Sequence, residues 1–254
     1  VSKPFFAFEE LIVDAWPAAE TLDLDGWLLR HSGGPSHRGN SVATLEAGRE
    51  LELEERIARA EGFYRAHARP ALFQIGPCVQ PKELDATLAA RGYAISGEAL
   101  TMVAAPNELA CASVAAFDVQ IARKRSPDWS QIALHESRFA DATETLLGAL
   151  QRLGSRVRYV TAYEAGLPLA TCYVIASEDR LGIYGMLTLS EARRRGLARA
   201  LLCAIGASAQ REQLRELYLL VETANAPALQ LYGQCGFREL YKYHYREKVL
   251  SASG

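Results

Sequence analysis

The chain has 254 residues, enough for one large domain or two small ones, and either size can bury a core. Its 28 Lys and Arg against 30 Asp and Glu give a formal net charge of −2, so there is no electrostatic footprint for nucleic acid or an anionic membrane. With 49% hydrophobic and 23% charged residues, and no run that reads as a signal peptide or membrane span, the expectation is a globular cytoplasmic protein.

In chain order, residues 5–19 read as a helix, 26–30 as a short strand and 31–39 as a polar loop with glycines and a proline. That loop, HSGGPSHRGN when taken to Asn40, runs from one strand into another, so it reads as a surface connection rather than an anion loop. A strand over 40–45, an amphipathic helix over 50–68 carrying Leu53, Ile57, Ala60 and Tyr64, and a strand over 71–75 follow. A short helix over 81–91 ends at Gly92, and a strand covers 96–105. Residues 106–116 form an Ala/Cys/Ser connection, which is the expected domain boundary. Beyond it the pattern predicts a strand over 117–124, helical segments over 127–153 with Trp129 near the first start, and a meander over 156–163, 167–176 and 181–189. The five cysteines, Cys78, Cys111, Cys172, Cys203 and Cys235, lack metal-ligand spacing. Most sit in apolar runs, so they are expected to be reduced core residues, and no metal is expected.

The most informative stretch is 181–237. A buried strand leads into the charged turn Ser190-Glu191-Ala192-Arg193-Arg194-Arg195-Gly196, after which Leu197, Leu201, Leu202, Ile205 and Ala209 recur at helical spacing. A second buried strand covers 217–221, then Pro227 opens a helix that Gly236 ends. The first N–H groups of a helix lack intrahelical partners and carry about half a positive charge. A phosphate can accept them where glycine and small residues leave the backbone open, as Gly196 and Ala198 would. Taken alone, the turn is equally explained as a solvated basic connection.

Arg193-x-x-Gly196-x-Ala198 resembles the pyrophosphate loop of the GNAT superfamily of acetyltransferases, [Q/R]-x-x-G-x-[G/A]. Downstream, Asn225 to Phe237 is similar to the second signature of that superfamily, N-x-x-A-x-x-L-Y-x-x-x-G-F, with every fixed position filled. The resemblance covers roughly residues 117–248 and implies acetyl-coenzyme A as cosubstrate.

The N-terminal half has the same order of elements, and one offset joins the two. Gly92 and Gly236 lie 144 positions apart, and this spacing also pairs Thr44 with Thr188, Leu45 with Leu189, Leu53 with Leu197, Ile57 with Leu201, Phe73 with Leu217 and Ile75 with Leu219. Such a gap-free match reads as a tandem duplication. Together with the resemblance it implies an α/β chain of the α+β, mixed-sheet kind: two GNAT-like domains, each a mostly antiparallel mixed sheet flanked by helices. Under the same offset Gly196 faces Glu52, Ala198 faces Glu54, Asn225 faces Pro81 and Tyr232 faces Leu88. Two carboxylates at the helix start would repel a pyrophosphate. The expectation is therefore a degenerate copy without a cofactor site over 1–108 and a catalytic domain over 117–254.

By the resemblance, the backbone of Met186 and Thr188 would pair with the pantetheine arm. Arg193, Arg194, Arg195, Gly196, Leu197 and Ala198 would hold the pyrophosphate, and Asn225 would bond the pantetheine region. Tyr232 would contact the cofactor and protonate the departing thiolate; its spacing from Leu229 equally suits an aromatic packed on the sheet. Many superfamily members place a Glu on the strand before the loop; here that strand offers Tyr184 and no carboxylate. Glu222 is the nearest candidate base, with stabilisation of the next helix start as its alternative role. His135 is a weaker candidate, because a lone helical His is more often structural.

The implied activity is transfer of acetyl to the primary amine of a small molecule or peptide, by direct attack in a ternary complex. A non-catalytic coenzyme A-binding sensor or scaffold is the alternative. A nicotinamide-binding domain is excluded, since Gly196 lacks a preceding G-x-G. Tandem copies packed as a pseudo-dimer fit a monomer, and a homodimer stays open; neither nucleic acid nor membrane is an expected partner.

Overall fold

The computed structural model describes residues 3–109, 117–135 and 143–251. In chain order its elements are α1 (Lys3–Asp14), β1 (Glu20–Leu24), β2 (Trp27–His31), β3 (Val42–Ala43), α2 (Leu53–Ala66), β4 (Ala71–Ile75), α3 (Leu84–Ala90) and β5 (Ala94–Ala104). There follow β6 (Asp118–Ala122), α4 (Pro127–His135), α5 (Thr143–Leu153), β7 (Val157–Glu164), β8 (Leu167–Ala176) and β9 (Arg180–Thr188). The chain continues through α6 (Leu197–Arg211), β10 (Glu216–Glu222), α7 (Ala226–Gln234) and β11 (Arg238–Lys248). It packs as two compact units, one of residues 1–99 with 241–254 and one of residues 100–240.

In the first unit the strand order is β1-β2-β3-β4-β11, with β3 and β4 parallel and the β1/β2, β2/β3 and β4/β11 pairs antiparallel. All five residues of β4 are buried, which is why four of them are apolar and the fifth, Gln74, is hydrogen-bonded to Arg30. Ile57, Ala60 and Tyr64 present one face of α2 to a core shared with Trp27, Leu29, Phe73, Leu84 and Tyr93. The Arg30 guanidinium is fully enclosed there, donating to the Ser41 carbonyl at 3.1 Å, Ser41 Oγ at 2.8 Å and Gln74 Oε1 at 3.1 Å.

The second unit has the strand order β5-β10-β9-β8-β7-β6, to which β5 contributes its residues 100–104. β6 to β9 pair antiparallel, whereas β9 and β10 run parallel. Leu197, Leu201, Leu202, Ile205 and Ala209 bury the predicted face of α6 against Val160, Cys172, Ile183 and Leu217. Each unit is thus a mixed, mostly antiparallel sheet flanked by helices, and the spacing of 144 positions recurs in the elements. α2 and α6 begin at Leu53 and Leu197, and β5 and β11 begin at Ala94 and Arg238 and end at Ala104 and Lys248.

Several expectations are revised. The first helix stops at Asp14, and Glu20–Leu24 is a strand paired with β2, because Pro17 holds the preceding residue away from helical dihedrals. The strand over 40–45 shortens to Val42–Ala43, and the helix expected from 50 starts at Leu53 after an extended Glu52. The sequence reading assigns no element after Phe237, yet β11 occupies Arg238–Lys248, with Tyr241, Tyr243 and Tyr245 turned inward. Cys78, Cys172 and Cys235 are free and buried. Cys203 is disulfide-bonded, so the expectation of reduced cysteines fails there; a disulfide needs proximity in space, which sequence spacing does not encode. Of the 106–116 connection, residues 110–116 lie outside the described residues, as do 136–142 of the helical region and the side chain of His135.

Candidate active site

β9 and β10 are in register from Arg180↔Glu216 to Ile183↔Leu219, and both continue past that pairing, to Thr188 and Glu222. β9 also bulges: Thr171↔Leu187 and Tyr173↔Tyr184 give it three steps where β8 takes two. Gly185 allows the bulge, with φ +59 and an ideal Cβ only 2.7 Å from the Tyr173 ring. The consequence is a parallel pair that separates where Met186 and Thr188 lie, both half-buried.

After β9 a short turn leads to Arg193, whose Nε donates to the Thr188 carbonyl at 3.4 Å. Arg194 and Gly196 are both left-handed, at φ +64 and +95, and Gly196 is the N-cap of α6. A chain that alternates into the left-handed region turns successive N–H groups to one side, forming an anion-binding concavity. An ideal Cβ on Gly196 would meet only Phe117, at 3.9 Å, so the backbone there is open. Arg193, Arg194, Arg195 and Gly196 are exposed and Ala198 is half-buried, whereas Leu197 is buried in the core and could act only through its backbone. Arg195 pairs with Glu164 at the end of β7.

α7 carries the second signature. Asn225 caps it, its Oδ1 accepting the Ala228 N–H at 3.2 Å, so this residue has a structural task in the chain itself. Tyr232 is 9% exposed, and its hydroxyl lies 4.0 Å from Met186 Sδ. Burial raises its pKa to about 12, assisted by Cys172 and Cys235, so the phenol keeps its proton at neutral pH. The loop residues, Met186 and Tyr232 therefore belong to one region around the separated ends of β9 and β10. Glu222 is exposed at the end of β10, where its carbonyl accepts the Asn225 N–H at 2.9 Å.

The aromatic column under this region escaped the sequence reading. Tyr184 donates to the Tyr218 hydroxyl at 3.1 Å and stacks with Tyr173 at 5.7 Å between ring centroids. Trp129 packs edge-on to Tyr173 and donates to the Cys172 carbonyl at 2.7 Å. Its signal was the recurrence of Tyr at 173, 184 and 218, each on a strand. Among the described residues no group of three or more His, Cys, Asp or Glu could hold a metal ion, and no helix is long and apolar enough to cross a membrane.

A family model described as "Probable histone acetyltransferase Rv0428c C-terminal" matches residues 6–246. The uncharacterized N-acetyltransferase YobR of Bacillus subtilis (strain 168) is 25% identical over 248 residues, covering 94% of this chain and 97% of that protein. A GCN5-related N-acetyltransferase from Kribbella flavida superposes with a TM-score of 0.73 at 15% identity, over 97% of this chain and 96% of the other. A tandem GNAT protein from the clavulanic acid biosynthesis pathway gives 0.61 at 15% identity, over 87% and 77% of the two chains. At these identities the two structural likenesses speak for the fold.

Proposed function

Since the chain belongs to the family described as probable histone acetyltransferase Rv0428c C-terminal, and is an acetyltransferase of the GNAT type, we propose that it moves acetyl from acetyl-coenzyme A to a primary amine in its C-terminal copy. The observation that carries this reading is the meeting of Met186 and the protonated Tyr232 hydroxyl at the diverging ends of β9 and β10. The open backbone of Gly196 fits a pyrophosphate, which would take N–H groups from Arg194 to Ala198 and the charge of Arg193 to Arg195. Past its pairing with β10, β9 has an edge at Met186 and Thr188 that would face an amide-bearing arm, and Asn225, at the start of α7, would bond that arm.

Acetyl-coenzyme A supplies an activated thioester. The Tyr232 hydroxyl holds a proton where a leaving thiolate would need one, with a pKa high enough that it stays an acid throughout the neutral range. Glu222, exposed at the end of β10, is the proposed base for the amine, acting through water. The N-terminal copy, with Glu52 and Glu54 at the start of α2, takes no cofactor on this reading. Titration calorimetry with acetyl-coenzyme A tests it: one site per chain is expected, and two sites or none overturn it. Release of coenzyme A with a panel of amines tests turnover. The absence of a carboxylate on β9, where Tyr184 is instead committed to Tyr218, favours a second reading as a coenzyme A sensor. Stoichiometric binding without turnover on any amine would establish that one.

A further inference from the structure

The two copies differ at the tip of one hairpin. Asp25 and Gly26 join β1 to β2 with φ +49 and +82, and Ala165 and Gly166 join β7 to β8 with the same values. The closing pairs Leu24↔Trp27 and Glu164↔Leu167 give both turns the same place in their hairpins. Each tip also rests against the loop that enters the following long helix. Leu24 and Leu51 belong to one apolar cluster, and Glu164 pairs with Arg195, the residue 144 positions after Leu51.

One residue further along each turn the side chains diverge. The Asp25 carboxylate accepts the Arg49 N–H at 2.8 Å on Oδ1, the Leu51 N–H at 3.0 Å on Oδ2, and the Glu50 N–H at 3.3 and 3.2 Å on its two oxygens. Those three donors hold its pKa below the usual value. They are the counterparts of Arg193, Arg194 and Arg195, at the copies' common offset. The loop is closed tightly around the carboxylate, since a Cβ on Gly48 would fall 2.3 Å from Asp25 Oδ2. Nearby, the Gln80 N–H donates at 2.7 Å to the carbonyl of Thr44, the counterpart of Thr188. In the second copy the turn residue is Ala165, which has no group to offer the loop.

We propose that Asp25 is a built-in anion that occupies N–H groups leading into α2, among them the counterparts of the Arg194 and Arg195 donors assigned to the pyrophosphate, and that the turn position of Asp25 and Ala165 decides which copy accepts the cofactor. The proposal rests on reading Arg193 to Ala198 as the pyrophosphate loop. A carboxylate delivered by a tight turn is intramolecular, so it competes at a high effective concentration with any free phosphate. Its charge also repels a second anion brought to the same donors.

Acetyl-coenzyme A is titrated by calorimetry into the wild type, Ala165→Asp and Ala165→Asn, with thermal melts of each. Asn suits a left-handed turn position as well as Asp does but carries no charge, so it controls for the backbone. Ala165→Asp is expected to weaken binding at least ten-fold at a melting temperature no lower than that of the wild type, and Ala165→Asn by less than three-fold. Wild-type affinity in Ala165→Asp overturns the proposal. No binding by the wild type removes the pyrophosphate-loop reading instead, and Asp25 is then judged separately. Asp25→Ala, whose new side chain the matching turn at 165 already accommodates, should melt lower than the wild type. Millimolar inorganic pyrophosphate should raise its melting temperature more than that of the wild type. Equal responses to pyrophosphate overturn the role given to Asp25.

Discussion

At the start of α6 the chain places Gly196 at φ +95, and at the start of α2, 144 positions earlier, it places Glu52 at φ −65. Around these two points the copies are otherwise alike. The N–H of Tyr93 donates to the Leu88 carbonyl at 3.0 Å, and its counterpart Phe237 donates to Tyr232 at the same distance. Leu53 and Leu197 open the two helices, and Gly92 and Gly236 follow α3 and α7 at φ +82 and +98. Apolar spacing and the glycines that end helices hold the fold twice over, because packing constrains them in both copies. The loop residues are under no such constraint. One copy has turned its loop donors onto its own Asp25, and the other keeps an open Gly196 and an arginine run. On the proposed function, fold and chemistry therefore separate by position: the fold lies in the buried faces, the chemistry at loop and element ends.

The largest expected effect is at Tyr232, whose counterpart is the fully buried Leu88. Tyr232→Phe should lower kcat by about 10²–10⁴-fold, the range for a lost general acid, while acetyl-coenzyme A still binds. Among the described residues its hydroxyl has just the 4.0 Å approach to Met186 Sδ, so the melting temperature should stay within about 2 °C. A near-normal kcat would make Tyr232 a packing residue like Leu88. Next comes Gly196→Glu, which brings the first copy's carboxylate into the second. Cofactor affinity should fall by about 10²-fold or more, from repulsion and from a side chain forced into the left-handed region. The reverse change, Glu52→Gly, should still leave one site per chain, because Asp25 remains on its three donors. Calorimetric stoichiometry reads both.

A smaller effect separates the two short helices. Asn225 caps α7 through the Ala228 N–H, whereas Glu83 at the start of α3 makes no side-chain cap. Asn225→Ala should cost about 1 kcal/mol and lower the melting temperature by about 2–4 °C, with Asn225→Ser restoring most of it. Glu83→Ala should cost neither. Equal losses at both positions would mean that the cap contributes nothing at α7.

Much of this was legible in the sequence, and the misses have physical causes. The buried face of α6 is periodic and β4 is almost wholly apolar, so spacing and composition encode them. The elements that carry Met186, Arg193 to Ala198, Asn225 and Tyr232 were legible, because glycines and Pro227 mark their ends, and the roles proposed for these residues come from the motifs. The bulge at Gly185 was not legible, since a one-residue register shift depends on the partner strand. Asp25 was not legible either. Its partners lie 24 to 26 residues away, and nothing local distinguishes an acidic turn residue that holds a loop from one that faces water. β11 was overlooked although its alternating tyrosines at 241, 243 and 245 signal a strand.

An effect of similar size lies at the far end of β4. There α1 brings Glu9 against Gly76 and Cys78; the latter is the counterpart of Glu222, which is exposed in the second copy. Glu9 is 2% exposed and accepts the Cys78 N–H at 3.0 Å. Burial raises its pKa above 4.5, opposed by the Cys78 hydrogen bonds and by the charge of Lys82. A carboxyl with a raised folded pKa binds its proton more tightly folded than unfolded. Its contribution is therefore fully present below the unfolded value near 4.5 and is lost as pH rises through the folded value. Once ionised, the carboxylate is held against its own desolvation. Glu9→Gln keeps an acceptor for the Cys78 N–H and never ionises, so it should leave stability near that of the wild type at pH 4 and raise it at pH 7. A gain of about 2–4 °C in melting temperature at pH 7 is the scale for ~1 kcal/mol in a chain of this size. Melts of both proteins across this range decide the point. A difference that does not grow with pH would mean that Lys82 and the Cys78 hydrogen bonds offset the burial completely, so that Glu9 carries its charge at no cost in stability.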